Sequence, residues 1–311
     1  MTPEELERYK TKQREKVKNQ IPLILMCIWP VTELLLFSYL PMFGEIIAFQ
    51  DYTVGAPFVG PNVKWVGFEW FKLILSSNYF LRLLRNTFRI SLISFLLSAP
   101  LKILLALLLN EIRNKRAKKV ITNITILPHF ISTVIVVGIV MNLFAADGLI
   151  NTIRMRQGLE RIQFLTGTKY FLSLYMGSGF WASTGFGAVA YSAAIAAIDQ
   201  EMYDAALIDG STRWKNVWYV TLPNIMPTII IFMILDVGNL MSVGCTKLIL
   251  MYNETNWEVS DVFSTYAYRM GIEGSKQSLS TALGLMNATV SLILITTFNR
   301  VARKVSETSL W

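Results

Sequence analysis

The chain has 311 residues, 53% of them hydrophobic and only 16% charged, with a formal net charge of +8. A soluble domain carries about a quarter charged residues, so this composition excludes an ordinary soluble protein and points to one embedded in a membrane. The basic excess does not indicate nucleic acid, because the lysines and arginines sit at the ends of apolar runs, where membrane topology signals lie.

Residues 1–20 carry mixed charge and read as a polar N-terminal segment. The apolar run from Ile21 to about Phe49 is too long for the core of a cleaved signal peptide, so it reads as a retained first span with Pro30 and Pro41 inside it. Five more spans are expected, at Asn86–Leu109, Val120–Phe144, Phe171–Ile198, Ile225–Cys245 and Leu279–Phe298. Each has the roughly 20 mostly apolar residues that a helix needs to cross a bilayer. The expected fold class is therefore an all-α polytopic membrane protein with six transmembrane helices. Residues 21–85 hold the first span and an outer segment, 86–300 a core of five spans, and 301–311 a tail.

Between the first two spans, Phe68–Arg89 is amphipathic and too interrupted to cross. It reads equally as a helix on the outer membrane surface and as one packed on the protein's own spans. Cys27 and Cys245 both lie in apolar stretches and suggest neither a disulfide framework nor a metal site. His129, the single histidine, follows Pro128 with no cysteine or carboxylate beside it, and reads as a packed polar residue. Basic residues crowd Arg8–Lys18, Arg113–Lys119, Arg213–Lys215 and Arg300–Lys304, and are sparser in the alternate segments. By the positive-inside rule both termini, and the loop before the fifth span, are cytoplasmic.

That loop, residues 199–227, is a polar interruption in an apolar chain. Asp199–Asp209 can be helical, since alanines favour helix. Gly210 permits a sharp turn. Ser211 can cap a second helical piece that Pro223 closes. Ala205 and Ala206 offer a smooth surface for another protein, flanked by Asp204, Arg213 and Lys215. An ordinary interfacial loop with nothing docked is the alternative that the physics alone leaves open.

The spacing is Asp204-Ala205-Ala206, three residues, Gly210, nine residues, Val220, one residue, then Leu222-Pro223. It resembles the EAA loop of ATP-binding-cassette (ABC) importer permeases, in which glutamate stands at the Asp204 position and isoleucine at the Val220 position. The segment before the second span and the last span are similar to those of the family's carbohydrate importers, and the closing Thr308-Ser309-Leu310-Trp311 is similar to the polysaccharide and complex-oligosaccharide permease branch. The resemblance implies a type I importer permease that forms half of a translocation path for an oligosaccharide. It also implies its partners: a second, different permease, two ATPase subunits that bind ATP and Mg, and an extracellular solute-binding protein. Asp204, Ala205, Ala206, Gly210, Arg213, Leu222 and Pro223 would then couple the chain to the ATPase. No G-x-x-x-x-G-K-[ST] occurs in the chain, so no phosphate-cradling loop is expected, no catalytic residue or cofactor is assigned to it, and energy is expected to arrive from outside.

Transporter sites lie near mid-membrane, where polar residues are costly enough to be suspect. In the fourth span, Gly177, Gly179, Gly185 and Gly187 read first as close-packing positions. Trp181 and Phe186 are candidate platforms for sugar rings. Carrying over the family's sugar contacts from the EAA loop lands on Gly179, Ala182, Ser183 and Phe186, and on Asp236, Asn239, Leu240 and Cys245. Asp236 either hydrogen-bonds sugar hydroxyls or makes a structural bond to the partner permease. With no cation among these positions, a neutral or basic solute is expected. Other readings are an importer of a glycerol phosphodiester or modified peptide, a proton-coupled carrier and a membrane sensor. The carrier predicts inverted repeats and a carboxylate–histidine relay, neither of which is evident, and a sensor would carry a soluble domain.

Overall fold

The computed structural model describes residues 20–238, 240 and 243–306. Among these the chain is helical, and its only strand-like pairing is one bridge between Gln50 and Trp65. Five helices are long and apolar enough to cross a membrane, or six when two pieces bent by 70° are taken as one span. These are α1 (Gln20–Phe49), α3 (Phe80–Glu111), the pair α5 and α6 (Thr133–Phe144 and Leu149–Arg156), the bent pair α7 and α8 (Phe171–Ala196 and Gln200–Ile208), α9 (Arg213–Gly238) and α13 (Gln277–Ser306). Shorter pieces lie between them: α2 (Glu69–Ser76), α4 (Lys115–Ile126), α10 (Cys245–Met251), α11 (Trp257–Ser260) and α12 (Phe263–Tyr268).

The core forms three layers along α3, whose residues rise about 1.5 Å each. Leu83 packs with Ala48, Ile74, Phe263 and Leu283. Ile90 packs with Val137, Phe171, Leu248 and Val262. Ala106 packs with Ala188, Tyr191, Ile225 and Ile229 near the loop end of the molecule. Between the second and third layers, near the middle of α3, lies a polar gap that holds the candidate site.

Several expectations change here. The second span begins at Phe80, and only Glu69–Ser76 forms a separate amphipathic helix. This α2 buries Ile74 against α13 and α3, and the Trp70 indole donates to the Gln50 carbonyl at 2.8 Å, so it packs on the protein itself. The third span is not continuous. It breaks at Leu127–Phe130, because Pro128 cannot donate a helical hydrogen bond, and it restarts where the Ser132 side chain caps α5. The fifth span does not run as one helix to Cys245: it is helical up to Gly238, and Val243 and Gly244 are not helical.

Two prolines are absorbed without ending their helices. Before Pro41 the chain widens into a π turn, Leu35–Tyr39, in which Leu40 N–H reaches the Leu35 carbonyl. Before Pro223 it does so at Val217–Thr221, in which Leu222 N–H reaches the Val217 carbonyl. An extra residue per turn re-seats the backbone around a position that has no donor and crowds the preceding turn. Pro223 therefore joins the loop to the fifth span, where a stop was expected.

On the far side from the loop, Asp261 and Arg269 pair at 2.8 Å while the Arg269 guanidinium also lies over Trp257 and Tyr266. Burial works against the charged form of Arg269, but the hydrogen bond and charge of Asp261 outweigh it and hold its pKa above the ordinary value.

Candidate functional site

The first candidate surface is the loop, built as two short helices around a tight turn. Asp199 caps α8 by accepting from Glu201 N–H. Gly210 adopts φ +74°, and the end of α8 closes with Ser211 N–H on the Ala206 carbonyl and Gly210 N–H on the Leu207 carbonyl. This is the left-handed glycine termination that leaves few carbonyls unpaired. Thr212, not Ser211, caps the next helix, its hydroxyl accepting from Lys215 N–H. The loop is braced from behind: the Tyr203 and Thr221 hydroxyls bond at 3.0 Å, and Arg213 reaches Glu111 at the end of α3 at 3.5 Å.

Asp204 and Ala205 are exposed and Ala206 half-buried; Gln200 donates to Asp204 at 3.3 Å. Leu222 and Pro223 lie where the loop enters α9. Sequence reasoning missed the apolar crown of this loop: Leu207, Ile208 and Trp214 are 69%, 87% and 76% exposed. Large apolar side chains left exposed among polar residues suit contact with a protein or with the membrane. The signal was present as large apolar residues inside an otherwise polar loop.

The second candidate surface is the polar gap at mid-depth. Two adjoining cavities of about 190 and 180 Å³ share Ser94, Ser98 and Tyr175. Asp236 and Leu240 line the first; Gly179, Ser183 and Lys247 line the second. α3 contributes a stripe of Ser91, Ser94, Ser98 and Lys102, three or four residues apart and therefore on one face. That spacing is visible in the sequence, but serines are small enough to pass as packing residues in a span, and Lys102 alone gives no sign of what it faces.

Leu240, Val243 and Gly244 are not helical at this depth and border the first cavity. Non-helical backbone at membrane depth is tolerated where it lines a polar cavity. The Ser91 hydroxyl donates to the Leu240 carbonyl, satisfying one freed acceptor.

Asp236 faces Lys102 of the same chain at 3.7 Å, an ion pair within the chain where a bond to the partner permease is one of the two readings of the sequence. Gly187 makes the room: a Cβ there would meet the Lys102 stem at 2.7 Å. The Lys247 ammonium donates to the Tyr175 carbonyl at 2.6 Å, lies 4.5 Å from the centre of the Tyr175 ring, and would sit 3.1 Å from a Cβ on Gly179. The expectation of a gap without cations is therefore corrected, since Lys102 and Lys247 come from elements outside the positions compared.

The remaining expected residues divide. Ser183 faces the gap, its hydroxyl donating to the Gly179 carbonyl at 2.9 Å. Phe186, about one turn on, shares that side of α7, but one face of its ring is covered by His129 at 4.1 Å between centroids. Trp181 projects from the opposite side of the helix and lines neither cavity. Cys245 is half-buried, with its thiol 3.4 Å from the Ser264 carbonyl. Asn239 lies outside the described residues.

A bundle of spans with a mid-depth polar gap, a broken helix beside it and a braced loop at one end has the form of a solute permease. Residues 102–307 match the family described as binding-protein-dependent transport system inner membrane component. The chain belongs to that family; it is a multi-pass membrane protein and the permease of an ABC importer, with the type I importer fold. It is 40% identical over 291 residues to "Protein LplB" of Bacillus subtilis (strain 168), covering 93% of this chain and 91% of that one. It is 39% identical over 298 residues to the polygalacturonan/rhamnogalacturonan transport system permease protein YteP of the same organism, covering 95% and 92%. Among solved structures it is similar to a bacterial alginate ABC transporter in complex with an alginate pentasaccharide-bound periplasmic protein, at 35% identity and a TM-score of 0.87, covering 95% of this chain and 99% of that one.

Proposed function

We infer that this permease forms half of a translocation path for an oligosaccharide delivered by an extracellular solute-binding protein. The near full-length similarity to the polygalacturonan/rhamnogalacturonan permease carries this reading. The other half of the path is a second, different permease. Two separate ATPase subunits, which bind ATP and Mg, supply the energy; one of them docks on this loop, and both termini lie with the loop in the cytoplasm.

The apolar crown supports the docking role. The ATPase covers Leu207, Ile208 and Trp214 and contacts Asp204, Ala205, Ala206 and Arg213, while Gly210 fixes the turn between the two loop helices. The Tyr203–Thr221 bond and the continuous helix through Leu222 and Pro223 make the loop a lever, passing rigid-body motion of the ATPase to α7 and α9. Gly179, Ser183, Phe186, Asp236, Asn239 and Leu240 contribute to the solute path, with Trp181 away from its centre.

The test is co-purification in detergent. The tagged chain should bring down an ATPase and a second permease. Ile208→Asp combined with Trp214→Ala, both at exposed positions, should weaken ATPase capture about tenfold or more, since each apolar side chain loses its burial. Undiminished capture would show that the loop is not the docking site.

A further inference from the structure

We propose that Lys247 is a carboxylate-reading residue of the solute path and that the transported oligosaccharide carries acidic sugar residues. This rests on the oligosaccharide reading above and adds to it the charge class of the substrate and the residue that recognises it.

The charges around the gap are unequal. Lys102 and Asp236 face each other at 3.7 Å and offset one another. Lys247 has no carboxylate within ion-pair distance among the described residues. An ammonium has three donors. Here one goes to the Tyr175 carbonyl, and the ring below supplies a weak electrostatic contact. A half-buried cation so placed is under-compensated, and a carboxylate from a solute would complete it.

Access is built in. Gly179 presents no side chain to the ammonium, and Ser94, Ser98 and Ser183 border the same cavity with hydroxyls suited to a sugar. Lys247 sits in the first turn of α10, which begins after the non-helical Val243 and Gly244, so its position depends on where that helix restarts. A purely structural lysine would be expected to pair with a protein carboxylate. This one points an incompletely partnered charge into a serine-lined space at mid-depth.

The test uses the complete importer with its partner permease, ATPase and binding protein in proteoliposomes. Tri-uronates from pectate and alginate digests are supplied, and separately the same pool after methyl esterification of its carboxyls. The readout is the ratio of acid to ester uptake. The wild type should favour the acid. Lys247→Met should lower that ratio about tenfold, and Lys247→Arg should restore most of it. A wild type with no preference, or a ratio unchanged in Lys247→Met, would overturn the assignment; a proportional loss of both solutes would make Lys247 a tether of α10 to Tyr175. Uptake of neither pool would overturn this inference; the oligosaccharide reading itself fails only if a pool of neutral oligosaccharides is refused as well.

Discussion

At Gly185 a Cβ would overlap the Thr125 carbonyl, so α7 approaches α4 as closely as a backbone allows. Gly177, on the same helix, has nothing within 4 Å. Gly185→Ala should therefore cut the yield of monodisperse detergent-solubilised protein severely, while Gly177→Ala should leave it unchanged, as size-exclusion profiles would reveal. The sequence treats these two glycines alike. Small size is a property of the residue, whereas closeness belongs to the neighbour it meets. The same holds for Asp236, which composition marks as unusual without naming Lys102. Asp236→Ala leaves Lys102 half-buried and unpaired, so it should destabilise the permease by about 2–3 kcal/mol. Adding Lys102→Met should recover much of that loss, and a double-mutant cycle on thermal unfolding measures the coupling. Unaltered uptake and assembly in Asp236→Ala would remove this residue from the path.

At the level of elements, the apolar runs were readable because a membrane span must be continuous in sequence and must satisfy its own backbone. The breaks within them were less readable. Pro128 divides a span, yet Pro100, Pro223 and Pro227 do not. A proline's effect depends on whether a π turn or a neighbouring helix can accommodate the missing donor. The loop was the best-read element, since its turn depends on a local requirement, positive φ, that Gly210 meets. Its stiffness comes from a contact between its two ends. Tyr203→Phe removes the bond to Thr221 and should loosen α8 by about 1 kcal/mol. Faster hydrogen exchange across 200–208, with little change in the spans, is the expected measurement. Solute uptake should fall relative to ATP hydrolysis, since a slack lever transmits less motion.

For the whole molecule, the helical membrane class, the apolar segments and the loop's place before the fifth span all follow from the sequence by itself. Hydropathy and turn preference act over one or a few turns of chain, so a single linear reading recovers them. Which side chains share the mid-membrane gap was decided only by the tertiary structure. Lys247 meets the carbonyl of Tyr175 across 72 residues of sequence, and Ser91 meets Leu240 across 149. No local spacing encodes such meetings; they depend on how α3, α7 and the broken fifth span pack. The expectation of a gap without cations failed for that reason. It counted charges along the two segments compared, whereas the path is formed by every helix face that closes around it.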